Sequence, residues 1–155
     1  MQPAQFTEII GTITASIAGK PLDAVLERTL NDTIAPGTPA YTAVFAACRQ
    51  AIDAGWMCNR EHGGIKFGRV VRPGVATHGF SVDVVDMSDI AGPHHRHPNG
   101  EIDLVMPLDE SATFDGRGAG WRVYGPGSAH HPTVAHGRAL VLYLLPDGAI
   151  EFTKA

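Results

Sequence analysis

The apolar residues of this 155-residue chain change their period near residue 60, and no other feature limits the possible folds as much. Before that point Phe6, Ile9, Ile10, Ile13 and Ile17 recur at spacings of three and four, as do Leu22, Val25, Leu26 and Leu30, and then Tyr41, Val44, Phe45, Cys48 and Ile52. Such spacing gathers apolar groups on one face of a helix, so three helices are expected. Pro21 and Pro39 stand where a first-turn proline is tolerated, Thr38 can cap the third helix, and Gly19 and Gly55 can stop the first and third. After Gly63-Gly64 the pattern becomes strand-like, over Ile65 to Val71, Phe80 to Met87, Glu101 to Leu108, Trp121 to Tyr124, Ala139 to Leu145 and Ala149 to Phe152, with Gly, Pro and Asp clusters between them. Short strands so punctuated form a sandwich or barrel. Arg138 to Leu145 is apolar on both faces and reads as a strand buried on both sides.

Composition narrows the function. With 44% hydrophobic residues the chain supports one domain with a sizeable core. A formal charge of -4 with scattered Lys and Arg provides no basic stripe, so no nucleic-acid partner is expected. The start, Met-Gln-Pro-Ala-Gln-Phe, is not a charged segment followed by an apolar run, and there is no apolar stretch of membrane-spanning length. A cytoplasmic protein without a membrane partner is the expectation. Cys48 and Cys58 fall outside metal or redox spacing and read as reduced packing thiols.

Chemistry concentrates in Gly92-Pro-His-His-Arg-His-Pro-Asn-Gly-Glu101, where His95, His97 and Glu101 fall at His-x-His-x3-Glu spacing. Along an extended strand His95 and His97 share a face about 7 Å apart. Pro98-Asn99-Gly100 reads as a tight turn that returns Glu101 to the imidazoles. Two neutral imidazoles and a carboxylate suit a divalent transition ion, whether Fe, Mn, Ni, Co or Zn. Downstream, Gly120 to Pro132 carries a Gly/Pro-rich turn followed by His130 and His131. Four donors would leave open positions on the ion, as a catalytic site requires. His94 alternates away from His95, Asp103 shares the strand parity of Glu101 and could support the site, and His62, His78 and His136 read as surface or core residues.

These two segments resemble the paired motifs of the cupin superfamily, Gly-x5-His-x-His-x3-4-Glu-x6-Gly and Gly-x5-Pro-x-Gly-x2-His-x3-Asn. The resemblance implies a mainly β fold, a cupin-type double-stranded β-helix or jelly-roll barrel over residues 59–155, after an N-terminal helical segment over residues 1–58. It also implies the ligand set His95, His97, Glu101 and one more histidine. Pro126 and Gly127 are adjacent here, one residue short of the usual spacing. Counting from Gly127 gives His130 and counting from Pro126 gives His131, and the glycine's role in the turn favours His130.

Cys-Asn-Arg-Glu from Cys58, Phe-Ser-Val-Asp-Val-Val-Asp-Met from Phe80, the His-Arg-His-Pro-Asn-Gly-Glu-Ile-Asp-Leu core and the ending Leu-Tyr-Leu-Leu-Pro-Asp-Gly-Ala-Ile-Glu-Phe together resemble the 4-hydroxylaminobenzoate lyase family, over essentially the whole chain. That resemblance implies conversion of 4-hydroxylaminobenzoate and water to 3,4-dihydroxybenzoate and ammonia in nitroaromatic breakdown, with a small aromatic carboxylate as substrate. His131, beside the expected ligand, is then the candidate general acid or base. A substrate carboxylate wants a guanidinium, for which Arg60, Arg69, Arg72, Arg96 and Arg122 are available, and Arg122 with Tyr124 is the expected substrate-binding pair. Cupins are often dimers, and the helical segment suits such an interface. Two further readings share the ligands: another metal-dependent cupin enzyme, either a ring dioxygenase or an isomerase, and a non-catalytic sensor of metal or small ligands.

Overall fold

The computed structural model describes residues 1–154. Three helices come first, α1 (Pro3–Ile17), α2 (Ala24–Thr33) and α3 (Pro39–Asp53). Pro3 and Pro39 open α1 and α3, where the missing N–H costs nothing, and the Thr38 hydroxyl accepts from the Tyr41 amide. Pro21 differs from expectation, because it lies ahead of α2 instead of in its first turn. Asp23 sets that start by accepting the Leu26 amide at 3.0 Å, which satisfies a donor that proline could not. Among the described residues no helix is long and apolar enough to cross a membrane.

Ten strands follow: β1 (Arg60–His62), β2 (Ile65–Val71), β3 (Phe80–Ala91), β4 (His95–Arg96), β5 (Glu101–Pro107), β6 (Thr113–Phe114), β7 (Gly120–Tyr124), β8 (Ala129–His130), β9 (Thr133–Pro146) and β10 (Glu151–Phe152). The large sheet runs β1-β2-β3-β9-β5-β7, with β6 also on β9, and the small one runs β10-β4-β8. Every pairing is antiparallel. Side chains from the small sheet face the inner side of the large one: His95 lies 6.5 Å from Tyr143 between ring centres, and His130 lies 6.2 Å from Phe114. Two sheets facing each other across the histidines, with helices outside, give the mainly β cupin arrangement with its N-terminal helical segment.

The apolar pattern of β9 explains its central place. Leu140, Leu142 and Leu144 turn outward into a core shared with Phe6, Ile10, Leu30 and Val44 of the helices. Ala139, Val141 and Tyr143 turn inward with Met87, Val105 and Phe114. A strand with a helical layer on one side and the barrel interior on the other must be apolar on both faces. Each of its leucines is at most 1% exposed, worth about 1.5–3 kcal/mol apiece. Cys48 and Cys58 are buried and reduced, the Cys58 thiol lying 3.4 Å from the Val84 carbonyl, and burial pushes that thiol up to about 12.

Candidate metal centre

The local sequence delivers four donors to one point. Gly100 has φ +85°, and a Cβ there would sit 2.7 Å from Leu22 and 2.8 Å from the Tyr124 carbonyl, so only glycine allows this turn to lie flat against β7. It starts β5 with Glu101 pointing into the barrel. The second turn has Pro126 and then Gly127 with φ +83°, closed by the Ser128 amide on the Gly125 carbonyl at 3.2 Å, the sequence and backbone of a type II turn. That turn is fastened to the first histidine segment from both sides, by Gly127 donating to the His97 carbonyl and His97 donating to the Ser128 carbonyl. His95 then stands opposite His130 across β4 and β8.

Ligating atoms of His95, His97, Glu101 and His130 all lie within 4.8 Å of one another. Around the Glu101 carboxylate are His97 Nε2 at 3.1 Å and the Nε2 atoms of His95 and His130, each at 3.7 Å. His95, His97 and Glu101 are at most 2% exposed. Hydrogen bonds behind two of the rings fix which nitrogen faces inward. The Ser128 hydroxyl spends its hydrogen on the Gly125 carbonyl at 2.6 Å, so toward His97 Nδ1 at 2.9 Å it can only accept. His97 therefore carries its proton on Nδ1. Asp115 Oδ2 accepts from His130 Nδ1 and from the Tyr124 hydroxyl, both at 2.6 Å, which protonates His130 on Nδ1 as well.

In its neutral form His97 turns a lone pair toward a carboxylate that can only accept. His97 Nε2 and both Glu101 oxygens are buried without a hydrogen-bond partner. Lone pairs converging in a dry pocket call for a cation between them, and a nitrogen and oxygen donor set of this kind fits a divalent transition ion. Without one, a proton serves. Burial disfavours the imidazolium of His130, but its bond to Asp115 and the nearby Glu101 charge outweigh that and raise it to about 9. Burial likewise works against the Glu101 carboxylate, yet the surrounding imidazoles hold its pKa well below the ordinary range.

A family model for 4-hydroxylaminobenzoate lyase matches residues 8–152. A 4-hydroxylaminobenzoate lyase of Pseudomonas putida is 32% identical over 165 aligned residues, 94% of this chain and 94% of that one. Another, from Nocardioides sp. strain LMS-CY, is 34% identical over 136 residues, 82% of this chain and 80% of that one. The chain belongs to the 4-hydroxylaminobenzoate lyase family. Solved structures like this lyase-family chain include an RmlC-like cupin protein from Ralstonia eutropha JMP134, 12% identical with a TM-score of 0.45 over 59% of this chain and 61% of that one. A polyketide cyclase from Streptomyces resistomycificus is 13% identical, with a TM-score of 0.42 over 60% and 73%.

This lyase-family site opens on a cavity of about 990 Å³ whose wall includes His95, Tyr143, Phe67, Val85 and Phe152. Of the two histidines left open by the spacing, His130 joins the cluster. His131 does not: it is exposed, its Nδ1 is 3.2 Å from the Gly92 carbonyl, and its ring packs on His94 at 4.9 Å, so a general acid or base at the cluster must be sought elsewhere. The expected substrate pair also moves. Arg122 is 4% exposed and donates to the carbonyls of Trp121 at 2.9 Å and Gly118 at 2.6 Å, off the cavity wall. Tyr124 stands behind His130 and acts on Asp115, not on the cavity.

Asp103 is fully buried on the same face as Glu101, and burial together with the Glu101 and Asp115 carboxylates pushes its pKa well above the ordinary value. Sequence reasoning missed Asp115, Ser128 and Tyr143. Asp115 has no motif around it, and only its φ of +49°, in a turn where aspartate is tolerated, marks it. Tyr143 hides within an apolar strand, where its inward parity with Val141 was the available signal.

Proposed function

We propose that this protein is a metal-dependent lyase that converts 4-hydroxylaminobenzoate and water to 3,4-dihydroxybenzoate and ammonia. What carries the proposal is the buried cluster of His95, His97, Glu101 and His130 at the wall of an aromatic-lined cavity, in a chain whose family relatives are named for that activity. In the conversion the N–O bond breaks, water adds at the ring carbon beside the nitrogen-bearing one, and hydrolysis of the resulting imine frees ammonia. An ion held by those four side chains would supply Lewis acidity toward the hydroxylamine oxygen or a water.

The chain's own groups bind, orient and hold protons. Asp115 and Ser128 fix the His130 and His97 rings so that Nε2 of each faces Glu101. Phe67, Val85 and Phe152 offer apolar surface to an aromatic ring. Tyr143, on the same wall, keeps its phenol proton, because burial and the Asp103 and Glu101 carboxylates hold its pKa well above the ordinary value. It is therefore available as a hydrogen-bond donor toward substrate oxygen or nitrogen, in the place first assigned to His131.

Incubation of the purified protein with 4-hydroxylaminobenzoate, with ammonia and 3,4-dihydroxybenzoate quantified together and bound metal measured by elemental analysis, tests the proposal. Equal amounts of both products are expected, with both metal and rate lost in Glu101→Gln and His95→Ala. No product from metal-replete protein, or full metal content in folded variants, would overturn it.

A further inference from the structure

We propose that Arg60 and Arg72 form a carboxylate-binding rim at the cavity mouth, which makes the site selective for benzoates carrying the reacting nitrogen at the far end of the ring. The identity of the substrate rests on the lyase reading above, whereas the rim itself rests on the disposition of the arginines.

Five arginines were open candidates, and three already have partners. Arg122 is buried and donates to backbone carbonyls. Arg96 is paired with Glu151 at 3.1 Å and lies off the cavity wall. Arg69 is on the wall, but Nε and Nη2 grip the Asp83 carboxylate at 3.0 and 3.2 Å, and Nη2 also reaches the Gly148 carbonyl. Its charge is answered by Asp83 and its donors are used. Arg60 and Arg72 remain. Both line the cavity, both are exposed, and among the described residues neither takes part in an ion pair.

Position agrees with charge. Arg60 stands opposite Phe67 across β1 and β2, and Phe67 stands opposite Val85, which stands opposite Val141. One row of side chains thus runs from a guanidinium on the edge strand, across an aromatic ring, into the apolar interior. Arg72 follows the last residue of β2 on the same wall. The wall holds three guanidiniums against one carboxylate, Asp83, in a chain whose formal charge is -4. An acidic protein that leaves two unpaired arginines at the mouth of an apolar cavity is arranged for an anion attached to an apolar body. Guanidinium and carboxylate match in a planar, two-bond geometry, and an exposed rim lets the carboxylate dock without full loss of water.

The test is equilibrium binding of 3,4-dihydroxybenzoate and of its carboxyl-free counterpart, catechol, to metal-replete wild type, Arg60→Ala, Arg72→Ala, the double variant and Arg60→Lys/Arg72→Lys. Alongside it, kcat and KM are measured for 4-hydroxylaminobenzoate and for phenylhydroxylamine. Wild type should bind 3,4-dihydroxybenzoate at least about tenfold more tightly than catechol, an ordinary difference for one charge-assisted pair. The double alanine variant should lose that preference while binding catechol as before, the lysine variant should recover part of it, and the alanine variants should raise KM for 4-hydroxylaminobenzoate with little change in kcat. Unchanged preference in the double variant overturns the rim, and so does equal loss of both ligands. A wild type that turns over no arylhydroxylamine yet shows the Arg-dependent preference sinks the lyase reading and keeps the rim, so the two failures are distinguishable.

Discussion

Asp115 reaches the candidate metal site only through a ring, yet it does three jobs at once. Its Oδ2 accepts hydrogen bonds from His130 Nδ1 and the Tyr124 hydroxyl, and its Oδ1 accepts the Thr133 amide at 3.0 Å. Truncating it frees the His130 ring to rotate and to choose the other tautomer, without touching any donor that faces Glu101. Asp115→Ala should therefore weaken metal retention by roughly 10- to 100-fold, the usual cost of losing such an outer partner, measurable by competition with a chelator of known affinity. Ser128→Ala should cost less, since it removes a neutral partner. Equal metal affinity in Asp115→Ala and wild type would mean that the ring is held by packing alone. Tyr143 is expected to behave differently: Tyr143→Phe should keep the metal and lower kcat by about 10²-fold or more, the scale of a lost proton donor. A rate indistinguishable from wild type would remove Tyr143 from the chemistry.

At the scale of elements, α2 closes an edge of the large sheet without being a strand. β7 is the last strand on its side, and an unpaired edge is a hazard for aggregation. Asn31 covers it by accepting the Trp121 amide at 2.8 Å and donating to the Trp121 carbonyl at 3.0 Å, and Glu27, one turn earlier, accepts the Val123 amide at 2.9 Å. Asn31→Ala leaves the amide of the 1% exposed Trp121 without a partner and its carbonyl with Arg122 alone, and should destabilise the protein by about 1–3 kcal/mol in urea unfolding. Burial of Glu27 opposes its charge, but Val123 and Arg117 outweigh that and lower its pKa below the ordinary 4.5. Its contribution is then present above that ordinary value and fades as pH falls through the lowered one, so wild type should lose stability in that acidic window and Glu27→Gln should lose less. Parallel acid profiles for the two would contradict this. None of this capping was visible in the sequence, because a side chain pairing with a strand 90 residues away leaves no period. What was visible had a period or a rigid turn: the three helices, β2 over Ile65–Val71, the doubly buried β9, and the His-x-His-x3-Glu run with its Gly100 turn. The two-residue strands β4, β6, β8 and β10 are too short to alternate, and the polar half of β9 before Ala139 departs from apolar alternation around the positive-φ pair His136 and Gly137. Arg122 misled because the sequence shows only a guanidinium available for a substrate carboxylate, whereas in the fold the nearest carbonyls claim it.

For the whole molecule, the candidate metal site draws on parts of the chain that are otherwise held by separate contacts. Glu101 belongs to the large sheet, His95 and His130 belong to the small one, and only two residue pairs of backbone register tie β4 to β8. An ion bound by all four side chains would cross-link the two sheets from inside, and its binding energy would add to folding because the unfolded chain has no such site. At a free concentration about 100 times the dissociation constant the gain is about 2.7 kcal/mol. A domain of this length gains roughly 2–4 °C in Tm per kcal/mol, so a rise of about 5–10 °C is expected on adding metal to chelator-stripped protein. Removal should abolish turnover at the same time, and both should return with the same metal titration. Glu101→Gln separates the alternatives: the neutral amide keeps the shape but loses the anionic donor, so the variant should show almost no metal-dependent rise while folding about as well as stripped wild type. If stripped and metal-replete wild type melt together, the convergence of His97 Nε2 with the Glu101 oxygens is answered by a proton alone, and the two sheets meet without a metal between them.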